Sequence, residues 1–297
     1  MIADQCRHPL VKDLAWLVEG HYIQRDFDLQ PYWVEGVNER LLWLDQNPEA
    51  LVAALEECKS HFLGSYFETL FSFAIRQLSV LTIHLEHFQI ESEGKTLGEV
   101  DMLVETPDGE LHQFEIAIKF YLERPDLFPH DWIGPNKNDS LLKKVTRARD
   151  HQLVVLQTKE GQFAIEQIAN GRQVHAHLLV FGRLYSALQS PQDVDVWLQQ
   201  VDCGGWLRVS EVSLLMPYFS DFSILEKPHW LAFPIFSNNF SSNSLESAYN
   251  LVGDFLLDDR PKHAYIWQAL KRANKVKDLD DDRQRLHRCV FIVPDSW

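Results

Sequence analysis

Through the first 80 residues the apolar positions recur at helical spacing. Leu51, Leu55 and Cys58 form one stripe, with Asn47 placed to cap a helix and Pro48 in its first turn. A second helix is predicted over 64–78, where Phe67, Leu70, Phe71, Ala74, Ile75 and Leu78 share a face. From Ile83 to Leu122 the period shortens to alternation, and the segments 98–104 and 111–122 flank Thr106, Pro107, Asp108 and Gly109. That pattern predicts a β-hairpin. A loop over 125–138, a helix over 140–153 capped by Asp139 or Ser140, and a partly buried strand over 175–181 follow. Beyond Ser186 the pattern breaks into short mixed segments, including 194–198 and 229–233, and ends in a strand over 290–293.

The hairpin turn decides which side chains meet. If Pro107, Asp108 and Gly109 form a three-residue loop with glycine in the left-handed conformation, Thr106 pairs with Glu110 and Asp101 falls opposite Glu115. A two-residue loop would shift the register by one and put these carboxylates on opposite faces. The Pro-Asp-Gly sequence favours the first register. Like charges directly opposite are destabilising, so the pair calls for a shared proton, solvent or a cation. Hard oxygen donors of this kind suit Mg²⁺ or Mn²⁺.

Other polar residues stand near this pair in the pattern. Glu68 interrupts the apolar stripe of its helix and is a boundary residue, a salt-bridge partner of Arg76, or a third carboxylate aimed at Asp101 and Glu115. Lys119 shares the strand face of Glu115, about 13 Å further along at the usual rise. On the helix over 140–153, Lys143, Lys144, Arg147 and His151 form a basic face opposite Leu141, Val145 and Ala148. This face is either ordinary solvated surface or a phosphate-contacting one. Gln152 reads as a core amide or a site residue. His175 and His177 share one strand face at a spacing compatible with metal, with no third ligand evident in the sequence.

The net charge of -15, from 28 basic and 43 acidic side chains, repels polyanions at long range, so nucleic-acid binding requires a local basic surface such as this helix. With 45% hydrophobic residues, 13 Gly and 13 Pro, the chain has the material for a packed core and is neither disordered nor fibrous. The four cysteines are far apart, which predicts reduced thiols and a cytoplasmic setting. Glycine-rich phosphate loops and the GxSxG motif are absent, so no nucleotide cofactor and no serine hydrolase is expected. No apolar run is long enough for a membrane span. The acidic run of Asp278, Asp280, Asp281 and Asp282 lacks the glycine and distal glutamate of an EF-hand and reads as solvated charge.

The succession of a helix bearing Glu68, then Gly98 to Asp101 (GEVD), then Glu115 to Lys119 (EIAIK), a basic helix and an apolar strand resembles the PD-(D/E)XK nuclease superfamily over about residues 60–185. Five further stretches are similar to a little-studied bacterial family of unknown function assigned to that superfamily. They are Lys12 to Trp16, Gly64 to Glu68, Phe114 to Leu122, Lys227 to Leu231 and Phe291 to Trp297. The resemblance implies an α/β (α+β) fold, a restriction-endonuclease-like αβββαβ core, in a single compact unit. A helical segment over 1–59 precedes the core, and a mixed C-terminal extension over 186–297 follows it. It further implies that Asp101 and Glu115 hold Mg²⁺ or Mn²⁺, that Glu68 supports them and that a lysine activates water for hydrolysis of DNA or RNA. The chain departs from the family pattern at Ala117, where that lysine normally stands, which gives Lys119 the role from one pleat further on. The expectation is therefore a metal-dependent nuclease in which Lys143, Lys144 and Arg147 contact nucleic acid. The alternatives are an inactive nuclease-like binding or scaffolding module, and an interaction module with an exposed apolar patch on the tryptophan-rich C-terminal third.

Overall fold

The computed structural model describes residues 1–58, 62–200, 202–233, 242–268 and 286–297. The chain divides into two compact units, one formed by 1–119 and 141–182, the other by 120–140 and 183–297. Both are mixtures of helices and sheet. The acidic run 278–282 lies outside the described residues.

The first unit opens with α1 (Pro9–Glu19) and β1 (Tyr22–Arg25), followed by α2 (Val37–Gln46), α3 (Glu49–Glu56) and α4 (Leu63–Leu78). Asn47, expected to cap the third helix, instead closes the second: its Nδ2 donates to the Trp43 carbonyl at 2.9 Å, and α3 starts at Glu49 behind Pro48. The α4 stripe is buried as its spacing predicts, with Phe67, Leu70, Phe71, Ala74 and Ile75 fully covered. The sheet follows with β2 (Thr82–Ser92), β3 (Lys95–Glu105), β4 (Leu111–Glu123) and, after the helices, β6 (Val174–Ala187); its order is β2-β3-β4-β6, with β1 on the far side of β6.

The hairpin register is the one the turn predicts. Met102 faces Phe114, Val104 faces His112 and Glu105 faces Leu111, while Thr106 N–H donates to the Glu110 carbonyl at 3.0 Å. Gly109, at φ +88°, supplies the left-handed residue that closes the turn. Between the strands of this hairpin and β6 runs α5 (Leu141–Arg147), which widens into a π turn over Ala148–Gln152, and then come α6 (Lys159–Ala164) and α7 (Glu166–Ala169). The helix expected over 140–153 is thus present as one continuous helical segment over 141–152, with its winding loosening from α to π after Arg147. Gly98 lets the turn at Val155–Gln157 seat on β3: a Cβ there would lie 2.9 Å from the Val155 side chain.

The second unit takes in the last residues of β4 and β6. Strand β5 (Trp132–Ile133) pairs with β4 through Leu122 and Ile133. Helix α8 (Pro191–Leu198) begins at Ser190, whose hydroxyl accepts from the Asp193 N–H. Then come β7 (Gly204–Arg208), β8 (Asp221–Ile224), β9 (Asn243–Ser244), α9 (Leu251–Asp258), β10 (Lys262–Trp267) and β11 (His287–Val293), in the order β6-β7-β11-β10-β8-β9. The final strand begins three residues earlier than its apolar run. Trp197, Trp206, Trp267 and Trp297 are buried in this unit, which places most of the C-terminal tryptophans in its core rather than in an exposed patch. All four cysteines are free thiols.

A carboxylate pair with a lysine in the first unit

Strands β3 and β4 stay paired to Met102 and Phe114, and the next opposed positions in that register are Asp101 and Glu115. Here the ladder gives way to side-chain bonding. Ile116, whose N–H would meet the carbonyl of Val100 if pairing continued, donates instead to Asp101 Oδ2 at 2.8 Å. The Asp101 carboxylate thus satisfies a backbone donor while pointing toward β4. Glu115 is almost wholly buried, with a side chain 2% exposed, and accepts from Lys144 Nζ at 2.7 Å.

The two carboxyl groups are hydrogen-bonded to each other, and both titrate far above ordinary carboxylates. Burial first, and the Asp101 charge second, push Glu115 up to about 7 despite Lys144. Burial pushes Asp101 up to about 6 against the pull of the Ile116 N–H, with the Glu68 charge adding to the rise. Glu68 also sits above its ordinary value, mainly through burial, and feels the charges of His87, Glu99, Glu115 and Lys144. Three carboxyl groups from α4, β3 and β4 therefore share one electrostatic neighbourhood. Arg76, the alternative partner for Glu68, is bonded to Glu86 at 2.6 Å.

Lys144 was expected on the basic face of its helix, solvated or in contact with phosphate, and the structure turns it inward, with a side chain 15% exposed. The reason is geometric. Three residues after Leu141 and four before Ala148, position 144 borders the inward stripe, and the long lysine stem carries the ammonium from there to Glu115. Lys143 and Arg147 remain exposed on α5. Lys119 lies half-buried one pleat beyond Ala117, and the cation on Glu115 is Lys144. Gln152 is half-buried at the end of the π turn, where its backbone carbonyl accepts from Gln113 Nε2 at 3.1 Å.

Among the described residues no group of three or more His, Cys, Asp or Glu side chains is placed to hold a metal ion. The oxygen pair of Asp101 and Glu115 nonetheless fits a hard divalent cation, because two buried carboxyl groups that must share a proton gain a counterion if a metal takes its place. His112, on β4, meets His177 on β6, an association the sequence spacing alone did not reveal.

The first unit is thus an α/β protein whose β-hairpin and flanking helices gather acidic side chains around one lysine. Residues 12–283 match the family model "Domain of unknown function (DUF1853)", and the chain belongs to that family. No curated protein and no solved structure matches it. None of the helices among the described residues is long and apolar enough to cross a membrane.

Proposed function

We propose that the protein is a metal-dependent phosphodiesterase acting on DNA or RNA, built on a restriction-endonuclease-like core. The observation that carries this reading is the meeting of Asp101 and Glu115 in register with Lys144 on Glu115. With the two-residue β5 and the short α6 and α7 set aside as additions, the succession α4-β2-β3-β4-α5-β6 has the αβββαβ order that this reading expects. Asp101 and Glu115 would hold Mg²⁺ or Mn²⁺, which when bound supplies Lewis-acid stabilisation of a phosphoryl oxygen and a more acidic water.

The chain's own groups have distinct tasks in this reading. The Ile116 N–H fixes Asp101 so that one oxygen is committed to the backbone and the other faces the site. Lys144 favours the ionised form of Glu115 against its burial and, once a cation relieves that carboxylate, would have an ammonium within reach of a phosphate oxygen or the attacking water. In this assignment Lys144 takes the role that the sequence pattern gave to Lys119. Glu68 adds negative charge from α4, and the exposed Lys143 and Arg147 flank the approach as phosphate contacts.

The test is Mn²⁺- and Mg²⁺-dependent cleavage of single- and double-stranded DNA and RNA by the full chain, beside Asp101→Asn, Lys144→Met and Lys119→Met. Cleavage lost in the first two and kept in the third supports the reading, and equal activity of Asp101→Asn and wild type overturns it. The second reading, an inactive nuclease-like binding module, is favoured by Ala117 and by the direct neutralisation of Glu115 by Lys144. It predicts calorimetric Mg²⁺ binding abolished by Asp101→Asn, with no cleavage of any substrate.

A further inference from the structure

One arginine of the second unit is buried without a counter-charge. Arg183 stands on β6 with 9% of its surface exposed, in a chain whose 43 acidic side chains outnumber its 28 basic ones. It feels the charge of Asp202, yet it makes no ion pair with a carboxylate among the described residues. Its Nη2 donates to the Leu231 carbonyl at 3.5 Å, and its guanidinium lies 5.2 Å from the centre of the Phe233 ring. Its Nη1 is buried with no hydrogen-bond partner.

Strand alternation brings Tyr185, two residues further along β6, to the same face. Its hydroxyl is hydrogen-bonded at 2.7 Å to Nε2 of His263, on β10. His263 is fully buried, and its Nδ1 also has no partner. The segment that follows β8 brings a third basic group. Trp230 packs edge-on against the His263 ring at 4.8 Å, and the Lys227 ammonium lies 4.6 Å from the centre of the Trp230 ring. Burial, then the charges of Arg183 and Lys227, hold His263 well below its ordinary value, so this imidazole is neutral.

A buried guanidinium with an unsatisfied donor and no carboxylate is costly, and an aromatic ring beneath it offsets only part of that cost. An oxyanion supplies both the missing acceptor and the missing charge. We propose that Arg183, His263 and Lys227 form a binding site for a small phosphate-class oxyanion in the second unit. Arg183 Nη1 is the anchor. When Tyr185 donates to Nε2, the His263 hydrogen stands on Nδ1 and offers a neutral donor to a second oxygen. Lys227, exposed on its flexible stem, adds charge from the solvent side. Two cations and a neutral donor suit the higher charge and the several oxygens of phosphate better than they suit a carboxylate. The site does not depend on the nuclease reading.

The experiment titrates metal-free full-length protein with inorganic phosphate, and separately with acetate, at constant ionic strength in chloride, read by calorimetry and by thermal unfolding. One phosphate per chain is expected, with an unfolding midpoint that rises with phosphate concentration and affinity for acetate at least tenfold weaker. Arg183→Met is expected to abolish binding and, since it removes an uncompensated buried charge, to unfold in chloride no earlier than the wild type. Lys227→Met should weaken binding at least fivefold, and Asp101→Asn should leave it unchanged. Because Lys227 is exposed, its variant keeps the fold and decides the matter if Arg183→Met does not fold. Absence of phosphate binding by the wild type would mean that water alone serves the two nitrogens and would overturn the site. So would binding indifferent to Lys227→Met or lost in Asp101→Asn, and acetate bound as tightly as phosphate would overturn the choice of ligand.

Discussion

Asp101 and Glu115 make the folded state hold a proton that the unfolded chain gives up. Unfolded, both groups ionise near pH 4; folded, they do so near 6 and 7. Between these values the native protein binds more protons, so stability falls as the pH rises through about 4 to 7 and levels off above that window. Urea unfolding at pH 5 and pH 7.5 is expected to differ by on the order of 2 kcal/mol for this reason. In Glu115→Gln most of that slope disappears. Bound Mg²⁺ would also flatten it, by stabilising the ionised pair. Lys144→Met tests the same neighbourhood from the other side. Removing the ammonium leaves Glu115 with Asp101 and no cation, so the Glu115 carboxyl is expected to titrate higher still. The unit should lose about 1–3 kcal/mol at pH 7.5 but much less at pH 5, where Glu115 is protonated in either protein. Equal losses at both pH values would mean that Lys144 acts through packing alone.

At the scale of elements, the site depends on a hairpin register and on the seating of a turn against β3. The register was legible because Pro107, Asp108 and Gly109 specify a three-residue loop, and a period of two then fixes every later pair, Asp101 and Glu115 included. The Lys144 contact was not legible, because helical periodicity places residue 144 at the border between the buried stripe and the solvent, and stem length rather than phase settles where the ammonium goes. The change from α to π winding after Arg147 left no mark in the apolar spacing either. The meeting of His112 with His177 needed the neighbouring of β4 and β6, whose residues lie some 65 positions apart. Seating of the Val155 turn gives a direct test of the element scale. Gly98→Ala brings a methyl group to 2.9 Å from the Val155 side chain and is expected to cost about 1–3 kcal/mol by overpacking. Val155→Ala opens that space, so the double variant should recover part of the loss in thermal or urea unfolding. Strict additivity of the two changes would show that the turn does not press on β3 at this point.

For the whole molecule, the question is how a chain of net charge -15 would engage a polyanion. Between Lys119 and Arg149 the sequence carries seven basic residues against four acidic ones, an apparent local excess. Structure reduces it. Lys144 is bound to Glu115, Arg124 to Asp126 at 2.8 Å, and Arg149 lies 3.7 Å from Asp26, so at least three of the seven cations are already set against carboxylates. Lys143 and Arg147 are exposed on α5, and two such side chains can make about two phosphate contacts. Each contact with duplex DNA contributes roughly -0.9 to the slope of log K against log salt concentration. The Asp101→Asn protein, held intact on its substrate by lost cleavage, is therefore expected to bind duplex DNA weakly with a shallow slope of about -2, measured by fluorescence anisotropy between roughly 50 and 200 mM salt. Lys143→Ala should lower that slope by about one and weaken binding to all sequences alike. A slope several times steeper, or one indifferent to Lys143→Ala and Arg147→Ala, would place the nucleic-acid surface elsewhere on the chain and detach α5 from the proposed approach to Asp101 and Glu115.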